Sequence, residues 1–253
     1  MSSIGIGALV FGCTLAGALA ALFMRRRMPA SHLDADSRDV VKLVMGLIAT
    51  MSALVLGLLI SAAHATYAAQ ESEMQQLGVH LYQVDRMLAH LGPEAGESRT
   101  LLRKIVAADI ARTWNGARTD FAGFAPSAER QQAEDLFLQI ASLSPKTNFE
   151  RVGQARALQL LGEIGETRRL LTEQAQASLS WLFLAVLIFW LTLLFFGFGL
   201  FARFNATVVV ALVAGALSVA AAMFLILDMD QPYSGVMQIS SAPMRDALRQ
   251  MGE

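Results

Sequence analysis

Gly46, Thr50, Ala53, Gly57, Ser61 and His64 recur at spacings of three and four residues, so on a helix they share one face. Their chemistry is that of a lined path rather than of bond making. Small side chains leave room beside a helix, hydroxyl and carbonyl oxygens can replace water around an ion, and an imidazole titrates nearer neutral pH than any other side chain. The row continues as Ala68, Glu71, Gln75, Gly78, Tyr82 and Asp85. A plainer use competes with this one, because small residues also let membrane helices pack closely. Four charges stand near the ends of other apolar runs: Arg168 and Arg169 before the third, Asp228 and Asp230 after the fourth. They can gather ions at a vestibule rim, or they can pair, with Arg168 or Arg245 as the expected partner of the two aspartates.

Enzymatic constellations are missing from the chain. The four histidines, His32, His64, His80 and His90, make no HExxH or other metal-ligand spacing. There is no G-x-S-x-G, phosphate loop or dinucleotide fingerprint. No catalytic, cofactor-binding or metal residue is therefore expected, and the protein reads as a non-enzyme. With a net charge of −1 and no basic tract longer than Arg25–Arg27, nucleic acid is not an expected partner. Cys13 is the single cysteine, so no intrachain disulfide can form.

The elements that must carry these residues are set by hydropathy. The chain is 55% apolar and 16% charged, and four uncharged runs account for the balance: 4–24, 43–63, 179–201 and 206–227. Each reaches the roughly 20 residues that a helix needs to cross a bilayer. In the first run Ala8, Gly12, Ala16 and Ala20 form a small-xxx-small ladder, which predicts a packing face. Thr207, Ala211, Ala214, Ser218 and Ala221 make a similar row in the fourth. Basic residues follow the first run rather than precede it, the order of an uncleaved anchor.

The second run continues without a Gly-Pro break to Leu91, and Leu77, Leu81, Val84, Leu88 and Leu91 keep a seam of fours and threes. One helix over 43–91 would be about 70 Å long, roughly half of it beyond a 30 Å hydrocarbon layer. Residues 98–114, 127–143 and 147–178 read as three further helices, started by Ser98, by Ser127 and by Thr147 or Asn148. The last of these is expected to run straight into the third span. Asn205 should cap the fourth span, and a short helix near the C-terminus, capped by Ser240 or Ser241, should turn Met244, Leu248 and Met251 onto the bundle. The expected fold class is all-α: a polytopic membrane protein with four transmembrane helices and a helical bundle formed by extensions of the second and third spans. Its parts are a transmembrane hairpin over 1–63, the bundle over 64–178, a second hairpin over 179–227 and a tail over 228–253.

Orientation follows from basic loops. Arg25, Arg26, Arg27, Arg38 and Lys42 lie between the first two spans, and short basic loops stay cytoplasmic. The 202–205 connection falls on the same side by parity. Both termini and residues 64–178 are then expected outside the cytoplasm of a bacterial inner membrane.

The ordered segments HLDADSRDVVKLVMGLIATMSALVLGLLI, VDRMLAHLGPE, SLSWLFLAVLIFWLTLLFFGFGLFARFNAT and FLILDMDQPYSGVMQISSAPMRDAL resemble a bacterial family called bestrophin-like, over nearly the whole chain. Its name links it to the bestrophins, pentameric chloride channels of similar layout. That likeness implies a second span lining a pore, and maps the pore onto the Gly46–His64 row. The chain departs from bestrophins in lacking an aromatic run along that span and an acidic cluster like their calcium clasp. The charge-derived orientation is also opposite to theirs. The expected function is a homo-oligomeric ion channel or pore in the bilayer, passing small inorganic ions, with anions favoured only by the resemblance. The alternative is a non-catalytic envelope protein whose helical bundle binds a partner or ligand.

Overall fold

The structure, a computed structural model, describes residues 3–25, 27, 35–115, 127–176, 181–202, 204–233 and 235–251. Among these the regular elements are helical, and there is no strand. In order they are α1 (Ser3–Arg25), α2 (Ala35–His90), a 3-10 turn (Pro93–Ala95), α3 (Gly96–Asn115), α4 (Ser127–Ser142), α5 (Asn148–Gln176), α6 (Trp181–Phe201), α7 (Ala206–Met229) and α8 (Ala242–Gln250). Four of them, α1, α2, α6 and α7, are long and apolar enough to cross a membrane. The fold is therefore all-α with four spans. Most of the basic loop after α1, the 116–126 segment and the expected join of α5 to the third span fall outside the described residues.

Two compact units are present, one of residues 1–65 and 179–230, the other of 66–178 and 231–253. In the first, α1 packs against both α6 and α7. Its buried row is Gly7, Val10, Thr14, Ala18 and Ala21, not the expected ladder, whose Ala8, Gly12, Ala16 and Ala20 are all exposed. The two rows lie on opposite faces of the helix, and α6 and α7 take the second. Thr14 can be buried because its hydroxyl donates to the Val10 carbonyl at 2.8 Å. Gly199 of α6 lies so close to the Ala18 carbonyl that a side chain there would collide with backbone. Around this row Val10, Leu187, Leu191, Met223 and Ile226 form one apolar cluster, and Ala18, Leu22, Phe195, Leu212 and Ala216 another.

Helix ends in this unit are closed by specific groups. Arg25 donates to the carbonyls of Phe201, at 3.3 Å, and Ala202, oxygens that α6 leaves without intrahelical partners. The contact puts the C-terminal ends of α1 and α6 at the same end of the unit. Asn205 caps α7 as expected, its side-chain oxygen accepting from the Val208 N–H at 2.9 Å. The second span starts earlier than its apolar run, at Ala35 rather than Leu43. An Asp39–Lys42 pair at 3.0 Å spans one turn of this extra helix.

In the second unit the predicted seam is the core. Leu77, Leu81, Val84 and Leu88 are all at most 3% exposed and meet Leu102, Val106, Ile140, Leu160 and Ile164. Burying each such side chain stabilises the bundle by about 1.5–3 kcal/mol. The helix after the GPEAGES turn begins at Gly96, so Ser98 is a buried first-turn residue and not a cap. The reason is local: the 3-10 turn runs directly into α3. At α5 the expected start is a capping box. Thr147 Oγ1 accepts from the Glu150 N–H at 3.1 Å, while Glu150 accepts from the Lys146 and Thr147 N–H groups at 2.6 and 3.3 Å. Those bonds hold the Glu150 carboxyl below its ordinary range. Gln154 then donates to the Ile140 and Leu143 carbonyls at 2.8 and 2.9 Å, tying α5 to the end of α4.

The C-terminal helix docks on this bundle. Met244, Ala247 and Met251 enter the core, and Leu248 packs beside it. Trp114 donates to the Ile239 carbonyl at 2.9 Å and meets the Tyr233 ring edge-on at 6.5 Å. Gly78 makes the docking possible, because a Cβ there would sit 2.8 Å from the Pro243 carbonyl oxygen. A Gly78→Val variant should therefore lift α8 while leaving α2 helical. Amide exchange over residues 242–250 is expected to accelerate at least tenfold, and unchanged protection would show that the approach is not required.

Candidate functional site

The membrane part of α2 is the least covered of the four spans. In its most apolar stretch 6% of residues are buried, against 33% in α1, 33% in α6 and 28% in α7. What is covered lies on one side. Ser52 and Ala63 are buried, and Val55, Leu56 and Leu59 pack onto the cluster around Leu187 and Met223. The opposite side carries the predicted row: Gly46, Thr50, Ala53, Gly57, Ser61 and His64 are all exposed. Gly46 and Gly57 have open space where a side chain would start. Thr50 donates its hydroxyl proton to the Gly46 and Leu47 carbonyls, at 3.1 and 2.8 Å, so its donor is satisfied within the helix. Beside this row runs a second exposed one, Leu47, Leu54 and Leu58, each 61–76% exposed.

Farther along the same helix the row changes character. Ala68, Glu71 and Gln75 stay exposed, whereas Gly78 meets α8 and Asp85 is fully buried. Asp85 accepts two hydrogen bonds from Arg99 of α3, at 2.9 and 2.7 Å, and has Arg103 at 3.9 Å. Such a forked pair is the strongest geometry available to a carboxylate, and it raises the Arg99 guanidinium above its ordinary range. A lone aspartate beside an apolar seam was the only sequence signal of this pair, and its arginine could not be chosen from spacing.

The four candidate vestibule charges fall in different units, Asp228 and Asp230 in the first and Arg168 and Arg169 in the second. Arg168 of α5 pairs with Asp109 of α3, which also takes Arg112 at 3.0 Å. Asp109, rather than Asp228 or Asp230, is thus the carboxylate that holds Arg168. Arg169 is 71% exposed and meets Glu173 at 3.4 Å, a pair worth little in water. Asp228 is buried in the last turn of α7, and Asp230 is its half-buried C-cap. The other expected partner, Arg245, is exposed on α8. His80 Nε2 lies 3.8 Å from Glu163, itself held by Gln159 and Arg156. Among the described residues no three His, Cys, Asp or Glu side chains gather as a metal set.

Removing Asp85 tests the charged tie directly. Asp85→Ala leaves Arg99 and Arg103 without their carboxylate and should cost about 3–5 kcal/mol of stability, the usual penalty for breaking a buried pair. A fall in thermal midpoint of only a degree or two in detergent would contradict this.

A Bestrophin-like domain model matches residues 12–244. Two crystal structures of mutants of a bacterial bestrophin homologue from Klebsiella pneumoniae are each 12% identical to the chain. One covers 97% of both chains with a TM-score of 0.68. The other covers 97% of this chain and 99% of its own, with a TM-score of 0.69. A third crystal structure, of a membrane protein, is 11% identical over 96% of both chains with a TM-score of 0.71. At such identities the likeness is one of fold. No curated protein matches the sequence.

Proposed function

The chain belongs to the Bestrophin-like family, and from that premise we propose that this integral membrane protein is a homo-oligomeric channel whose path for small inorganic ions is lined by α2. The observation that carries the proposal is the bare face of that helix, Gly46 to His64, beside spans that are several times better covered. Lipid alone gives no reason for hydroxyls and glycines to be left there. The small rows of α1 and α7 support assembly, since Ala8, Gly12, Ala16 and Ala20, and Thr207, Ala211, Ala214, Ser218 and Ala221, are exposed in the single chain. Rows of this kind let helices of neighbouring copies approach closely. Anions are the favoured ions through the likeness to bestrophin channels. The role is non-catalytic.

Flux through reconstituted liposomes tests the lining. In a Cys13→Ser background, Thr50→Cys and Ser61→Cys should lose most of their flux to a charged thiol reagent, and Leu59→Cys, on the packed side, should not. Oligomeric protein that passes no ions would overturn the channel and favour a bundle that binds a partner.

For orientation, we propose that the basic 25–42 connection faces the cytoplasm of a bacterial inner membrane, with residues 64–178 and both termini outside. An impermeant thiol reagent should then label Gln75→Cys in intact spheroplasts. Labelling seen only after permeabilisation would reverse the assignment.

A further inference from the structure

The second unit, residues 66–178 and 231–253, carries two surfaces of opposite charge that both remain open. The first is a groove of about 330 Å³ between α3 and α8. Ala107, Ile110, Ala111 and Leu248 give it an apolar floor, and Arg245 and Arg249 stand on its wall. Among the described residues Arg245 makes no ion pair, and Arg249 meets only the exposed Asp246, at 3.6 Å, a contact that is easily exchanged. The second surface is the outer face of α4. Glu134 and Asp135 are exposed there and make no ion pair among the described residues, and Phe137 and Leu138 beside them are 40% and 55% exposed. Leu136 and Ile140, on the other side of α4, are the residues that enter the bundle core. The acidic, apolar face is therefore turned away from its own chain's core.

We propose that the α4 face of one copy docks into the α3–α8 groove of the next, Glu134 and Asp135 meeting Arg245 and Arg249 while Phe137 and Leu138 cover the apolar floor. This rests on the homo-oligomeric reading above and specifies its contact outside the spans. Charge complementarity selects a second copy as the occupant. Each surface lacks what the other offers, and neither is self-complementary. A head-to-tail contact between two different patches of one chain is heterologous, and it gives a ring where its rotation closes, whereas a two-fold dimer pairs the same patch on both copies. The opposed charges fix the register of the contact and speed encounter more than they add affinity. The apolar residues between them supply the burial.

Charge reversal with rescue tests the contact, using full-length protein in mild detergent weighed by mass photometry. Glu134→Arg with Asp135→Arg, or Arg245→Glu with Arg249→Glu, should each lose the assembled species. All four substitutions together should regain it. Unchanged helical content by circular dichroism separates loss of contact from loss of fold. Should a reversed chain fail to fold, oxidative cross-linking decides: Asp135→Cys with Arg249→Cys, in a Cys13→Ser background, should give a ladder of multimers on a denaturing gel. Assembly that survives both reversals, or an oligomer that forms no ladder, overturns this contact and leaves the oligomeric reading standing. A wild-type chain that runs as a single copy removes both.

Discussion

A backbone in hydrocarbon must satisfy its own hydrogen bonds, and the architecture depends on that constraint. It permits only helices for four apolar runs of this length, and it leaves side chains as the sole means of telling one face of a span from another. In α2 this produces a division of labour along a single rod. One side is held by α6 and its neighbours through Val55, Leu56, Leu59 and Ala63. The opposite side presents small and hydroxyl-bearing residues from Gly46 to His64. Because α2 continues unbroken to His90, about 80 Å at 1.5 Å per residue, the helix that carries the row also supplies the seam of the bundle core.

In that bundle charge takes over part of the work of apolar packing. Asp85 and Asp109 are buried carboxylates, and each is held by an arginine from a different helix. An unpaired charge at either place would be expensive. The two pairs therefore fix α2 against α3 and α3 against α5 more specifically than leucines alone could. Gly78 and the α8 face add a third tie, made of close approach rather than charge.

How much of this was legible depends on the range of each interaction. Periodicity placed Gly46–His64 on one face and Leu77–Leu88 on a seam, because both follow from helix geometry within a few turns. The Asn205 cap was legible for the same reason, its partner lying three residues away, and so was the start of α5 at Thr147 or Asn148, though not the Glu150 side of its box. Small residues lie on both faces of α1, and only the placement of α6 and α7 shows that Gly7, Thr14 and Ala18 form the face packed inside the chain, leaving the ladder of Ala8, Gly12, Ala16 and Ala20 exposed. The pairing of Arg168 with Asp109 was not legible, since the two lie 59 residues apart and no spacing rule reaches that far. The bareness of the α2 face was likewise invisible, being a property of where the other three spans go.

The most direct measurement is single-particle imaging of the purified chain in lipid nanodiscs. A closed ring with the α2 helices around its axis, and the Gly46, Thr50, Ala53, Gly57, Ser61 and His64 row turned toward that axis, is the predicted result. A ring with another span at the axis, or a single copy whose α2 row faces lipid, would contradict the account.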